Sequence, residues 1–152
     1  MEKLLEAVAL VGLIGPIVWV ALRWSLLPEQ IPQHYNFSGE VDSYSGKSSL
    51  LLLLWVNCGL WLGLTVLSRY PHIYNYLVTI TEQNAARQYL LARRLIVYIK
   101  AVITVLFAGI TWHIVHTALG GAYPIWPIVT LPIAFILAGT IVYLIVSPNE
   151  SR

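Results

Sequence analysis

Charge is what this chain has least of. Of its 152 residues only 11% are Asp, Glu, Lys or Arg, against 58% hydrophobic ones, and the mean hydropathy is +0.72. A water-soluble fold of this size would have too little polar surface to cover itself. Cysteine is almost missing too: Cys58 stands alone inside an apolar run, which excludes an intramolecular disulfide and reads as a small buried apolar residue. No HExxH, GxSxG or phosphate-loop string occurs, so no enzyme class is indicated. The net charge of +2 calls for no nucleic-acid partner, since the placement of a few arginines accounts for it.

What is present is four long apolar runs, Leu4 to Leu22, Leu50 to Leu67, Leu95 to His116 and Ile125 to Val146. Each comes near the roughly 20 residues that carry a helix across a hydrocarbon core. The first is too long for a secretion-signal core, is interrupted by Pro16, and ends on Arg23 and Trp24 where a signal would have a small-residue cleavage site. The sequence therefore predicts an all-α membrane protein, a single domain over residues 1–152 with four transmembrane helices in a lipid bilayer. Thr79 and Glu82 have the spacing of a capping box, and no Gly or Pro interrupts the chain from Ile80 to Phe107. That predicts a third helix of about 40 residues, about 60 Å long, extended into the cytoplasm beyond the bilayer. Pro71 to Val78 before it reads as an interfacial turn or short helix, and Lys100 is expected to snorkel to the inner surface.

Orientation follows from where basic residues are retained. The connection 68–94 holds Arg69, Arg87, Arg93 and Arg94 against Glu82 alone, whereas 117–124 holds no charge. Both chain ends and the basic segment 68–94 should face the cytoplasm, and the polar loop 27–47 should face outward from a cell (inner or plasma) membrane. Gly59 and Gly63 form a small-xxx-small pair that lets another helix, within the chain or in a homo-oligomer, approach closely. Gly12, Gly15 and Pro16 in the first run, and Pro127 and Pro132 in the fourth, predict kinks.

The outward loop, LPEQIPQHYNFSGEVDSYSGK, carries the chemistry. Pro28 and Pro32 hold its first half extended. In an extended segment His34 and Asn36 point to one side; Gly39 supplies a turn that returns Asp42 to that side, and Lys47 sits at the membrane edge. Imidazole, amide and carboxylate together suit a recognition site, a hydrogen-bonded lid or part of a metal site. A rigid loop whose polar groups merely satisfy one another is the plain alternative. The candidate ligand-binding residues are His34, Asn36, Gly39, Asp42 and Lys47.

The string formed by Leu27, Pro28, Ile31, Pro32, His34, Asn36, Gly39 and Asp42, LPxxIPxHxNxxGxxD, with Lys47 after it, resembles the signature of a bacterial membrane domain of unknown function. That domain is found at the N-terminus of Sdp-type immunity proteins. The later segment YNYLVTITEQNAARQYLLARR resembles the stretch following the second span there. The resemblance covers roughly the first two thirds of the chain; the immunity proteins look longer, with further C-terminal spans. It implies a bacterial inner-membrane protein with the motif between the first two helices. In the immunity proteins it implies protection against, or sensing of, a secreted toxic peptide, hence an extracellular peptide or a cytoplasmic regulator as partner.

His113 and His116, three apart on the third span, share a helix face near its outer end. With His34 and Asp42 they are candidate metal ligands, Zn being the ion such donors suit. Two functions thus stay open: recognition, immunity or signalling through an outer His/Asn/Asp loop, or a metal-dependent membrane enzyme or small transporter built on an outer His/Asp cluster.

Overall fold

A computed structural model describes residues 1–148. In chain order it holds α1 (Glu2–Arg23), β1 (Gln30–Tyr35), β2 (Val41–Gly46), α2 (Ser49–Leu67), a 3-10 turn (Pro71–Ile73), α3 (Ala85–Ala118) and α4 (Trp126–Val146). The four α-helices are each long and apolar enough to cross a membrane. The chain is a multi-pass, all-α membrane protein to which one antiparallel hairpin is added between the first two spans. The chain leaves α1 ahead of Pro28 as expected, after a last turn in which the Leu26 and Leu27 N–H groups donate to the Arg23 carbonyl. From Gln30 it is extended, and the extension becomes a strand because β2 supplies the missing backbone partners.

α3 is the hub and touches each of the other three helices. It runs alongside α1 in the same direction: Glu2 meets Arg93 and Arg94, and Gly12 lies on Thr104. At the far end Val20 and Val115 share one apolar cluster. A Cβ on Gly12 would come within 2.9 Å of the Thr104 backbone, so only glycine permits this approach. Pro16 lacks an N–H, which strips the Gly12 carbonyl of its helical donor. Asn57 of α2, itself buried, donates its Nδ2 to that carbonyl at 3.2 Å. The carbonyl that Pro16 leaves without its helical donor is thereby satisfied by a neighbouring helix, as a low-dielectric surrounding demands.

Near the end that carries the chain's N-terminus the helices are tied by charge. Lys100 does not snorkel. Its side chain is 0% exposed, and its ammonium donates to both Glu6 carboxylate oxygens (2.9 and 2.7 Å) and to Thr65 Oγ1 (3.0 Å). α4 is peripheral, with no residue buried. It leans on α3 where Gly139 makes room for the Tyr98 ring, whose hydroxyl donates to the Phe135 carbonyl at 2.7 Å. At its end Ser147 and Gln88 exchange hydrogen bonds of 2.8 and 2.9 Å.

Two further expectations are corrected. α3 starts at Ala85, five residues later than the capping-box reading, and has 34 residues, about 51 Å at 1.5 Å each. Thr81 and Asn84, rather than Thr79 and Glu82, make the reciprocal pair ahead of it: Thr81 N–H donates to Asn84 Oδ1 (2.8 Å) and Asn84 N–H to Thr81 Oγ1 (3.3 Å). A Cβ on Gly59 or Gly63 would meet no atom within 4 Å, so among the described residues the small-xxx-small pair packs no other helix.

Candidate functional site

The hairpin is seated on the helices by Ile31, which is 0% exposed in a cluster with Val20, Leu27, Leu50 and Val115. From that anchor the strands pair Gln30 with Gly46, Ile31 with Ser45 and Pro32 with Tyr44. The register then shifts twice, so that His34 faces Ser43 and Tyr35 faces Val41. Such irregularities re-aim side chains. Here they bring His34 Nδ1 to 2.6 Å from Asp42 Oδ1. A carboxylate can only accept, so Nδ1 carries the hydrogen and Nε2 is left turned away from the pair. The side chains remain 69% and 43% exposed, so the pair is presented, not buried.

Asn36 does different work. Its N–H donates to the Glu40 carbonyl and its own carbonyl accepts from Gly39 N–H, both at 2.9 Å. Its Oδ1 accepts from the N–H groups of Ser38 (2.9 Å) and Glu40 (3.0 Å), and its Nδ2 donates to Glu40 Oε2 (3.1 Å). The side chain therefore builds the turn. Gly39 supplies the φ of +82° which that turn needs and passes close to the Trp126 ring. Lys47 closes the base: its ammonium lies 2.9 Å from Glu29 Oε1 and over the Trp24 ring at 5.5 Å, and its N–H donates to the Glu29 carbonyl.

Of the expected ligand-binding residues, then, His34 and Asp42 meet, Asn36 and Gly39 shape the turn beside them, and Lys47 is at the opposite end of the hairpin. The four candidate metal ligands are not brought together, and among the described residues no three His, Cys, Asp or Glu side chains converge as a metal ion would require. Three residues along a helix of 3.6 per turn leave a rotation of about 60° between His113 and His116. His113 turns under the hairpin against the Tyr35 ring (centroids 5.1 Å apart), while His116 stacks flat on Trp112 at 4.9 Å beneath Gly121. Neither reaches the exposed pair at the hairpin's other face.

Sequence reasoning missed Tyr35 and Thr117, which gather with His113 and Glu40 around a cleft between the hairpin, the end of α3 and residues 121–124. The signals were available. Tyr35 points opposite to its neighbours His34 and Asn36 by strand alternation, and Thr117 sits four residues past His113 on one helix face. Burial pushes the Tyr35 phenol above its ordinary value, while the adjacent Thr117 hydroxyl pulls the other way.

Residues 11–57 match a family model described as a domain of unknown function, DUF1648. That stretch runs from the middle of α1 through the hairpin to Asn57, and so holds both the seated hairpin and the Gly12–Pro16–Asn57 tie. No curated protein and no solved structure matches the chain.

Proposed function

We propose that this chain is a bacterial inner-membrane recognition protein, and that the exposed His34–Asp42 pair is the contact point for an extracellular peptide. In this reading the hairpin faces outward, both termini face the cytoplasm, and the arginines of 68–94 rest against the inner surface or a cytoplasmic regulator. The observation that carries the reading is the pair itself: an imidazole oriented by a carboxylate at 2.6 Å on a clamped hairpin, with most of its side chain exposed and its other nitrogen outside the pair. Such a ring accepts a hydrogen bond from a peptide N–H when neutral and donates to a carbonyl when protonated. The hairpin is pre-organised by Asn36, by the Glu29–Lys47 pair and by the Ile31 anchor, so little ordering cost opposes binding. The resemblance to the N-terminal part of Sdp-type immunity proteins points to a secreted toxic peptide as that ligand.

A deletion strain challenged with the toxic peptides secreted by its own and neighbouring strains tests this. The wild-type gene should restore growth, while His34→Ala and Asp42→Ala should each lose protection at unchanged membrane levels. Because the two side chains act as a unit, the double variant should be little worse than either single one. Full protection by both single variants would remove the hairpin pair from the function.

A further inference from the structure

Beneath the hairpin, on the side away from His34 and Asp42, lies the cleft of about 440 Å³ whose polar lining comes from Tyr35, Glu40, His113, Thr117 and Tyr123. His113 is only 1% exposed, yet among the described residues neither of its ring nitrogens has a hydrogen-bond partner. Tyr35 Oη and Thr117 Oγ1 are buried beside it and, though neighbours, make no well-formed hydrogen bond to another group among the described residues. Buried polar atoms left in this way cost roughly 1–3 kcal/mol each. Their concentration around one cleft marks a place built to be completed by another molecule.

The lining also says what kind. No Lys or Arg borders the cleft, and its one formal charge is the Glu40 carboxylate at the rim, whose Oε2 is held by Asn36. An imidazole nitrogen and two hydroxyl oxygens offer lone pairs deeper in, and the Tyr35 and Tyr123 rings offer π faces. Several acceptors, two aromatic faces and a carboxylate complement a group with three donors and a positive charge. We propose that the cleft binds a primary ammonium group, from either a soluble amine or an aminophospholipid headgroup. The site is separate from the peptide-contact reading, because neither His34 nor Asp42 lines it.

Purified full-length protein in phosphatidylglycerol nanodiscs, which hold no amine lipid, would be titrated with 2-phenylethylamine by calorimetry. Saturable binding is expected; 2-phenylethanol and phenylacetate, of the same shape without the ammonium, should bind far more weakly or not at all. Glu40→Gln keeps the acceptor for Asn36 but removes the charge, and should weaken the amine about fivefold, as for an exposed ion pair. Thr117→Val, which removes one acceptor at constant size, should weaken it by a similar factor. His34→Ala should leave binding unchanged. Repeating the titration with phosphatidylethanolamine in the disc separates the sources: competition assigns the site to the lipid headgroup, and its absence to a soluble amine. An amine that does not saturate, a neutral or anionic probe that binds as well as the amine, or a Glu40→Gln protein with unchanged affinity would each overturn the proposal.

Discussion

Replacing Glu6 and Lys100, singly and together, gives a measurable asymmetry. At 2.7 and 2.9 Å the ammonium and carboxylate attract by about 6 kcal/mol if the effective dielectric is about 20. Desolvating the wholly buried ammonium costs several kcal/mol and the half-exposed carboxylate adds a smaller penalty, so the pair is close to balanced as it stands. Breaking it from either side is not. Glu6→Leu strands an ammonium whose side chain is 0% exposed, with Thr65 as its one remaining hydrogen-bond partner among the described residues, and should cost about 3–5 kcal/mol. Lys100→Met strands a carboxylate that is 43% exposed and can turn outward or protonate, so about 1–2 kcal/mol is expected. The double variant removes both charges and fills the space with apolar atoms, which should bring stability back to within about 1 kcal/mol of wild type. Reversible unfolding in mixed detergent micelles, followed by tryptophan fluorescence, supplies the double-mutant cycle. A double variant whose loss equals the sum of the single losses within about 0.5 kcal/mol would refute the coupling.

Two other predictions concern the tie between α1 and α2 and the segment after α2. Asn57→Leu should destabilise the wild type by about 1–3 kcal/mol, because the Gly12 carbonyl loses the donor that replaces its helical one. In a Pro16→Ala background the same change should cost much less, since residue 16 regains the N–H that bonds this carbonyl; equal costs in both backgrounds would contradict the assignment. The Tyr76 phenol is pushed up to about 12, first by burial and then by the neighbouring phenols of Tyr143, Tyr74 and Tyr89. A raised folded value means stability is intact below the unfolded value near 10 and falls as pH climbs from about 10 to 12. Ultraviolet phenolate titration should show a late phenol near this value, and Tyr76→Phe should remove that one phenol and lessen the alkaline loss of stability.

What the sequence made legible was whatever a local pattern fixes. Four apolar runs gave four helices, and Pro28 and Pro32 gave an extended departure from the first span. The meeting of His34 with Asp42 around a Gly39 turn was also readable, because strand alternation and a short turn constrain it. The rest depended on pairings with no local signature. Glu6 and Lys100 are 94 residues apart and meet only because α1 and α3 run side by side. Gly59 and Gly63 have the right spacing for close packing, but spacing does not supply a partner helix. The i, i+3 spacing of His113 and His116 predicts one shared face beside the hairpin, yet a rotation of about 60° suffices to give one to Tyr35 and the other to Trp112. Thr79 and Glu82 fitted a capping template that Thr81 and Asn84 fill instead, since the helix begins after the turn they close.

The recognition proposal stands or falls with the side of the membrane on which the hairpin is displayed. Ser43 on β2 and Gln83 ahead of α3 are both exposed, at opposite ends of the helices. In a Cys58→Ala background, a membrane-impermeant thiol reagent applied to intact cells should label Ser43→Cys and spare Gln83→Cys until the membrane is opened. Labelling of Gln83→Cys with protection of Ser43→Cys would put the His34–Asp42 pair in the cytoplasm and contradict the account.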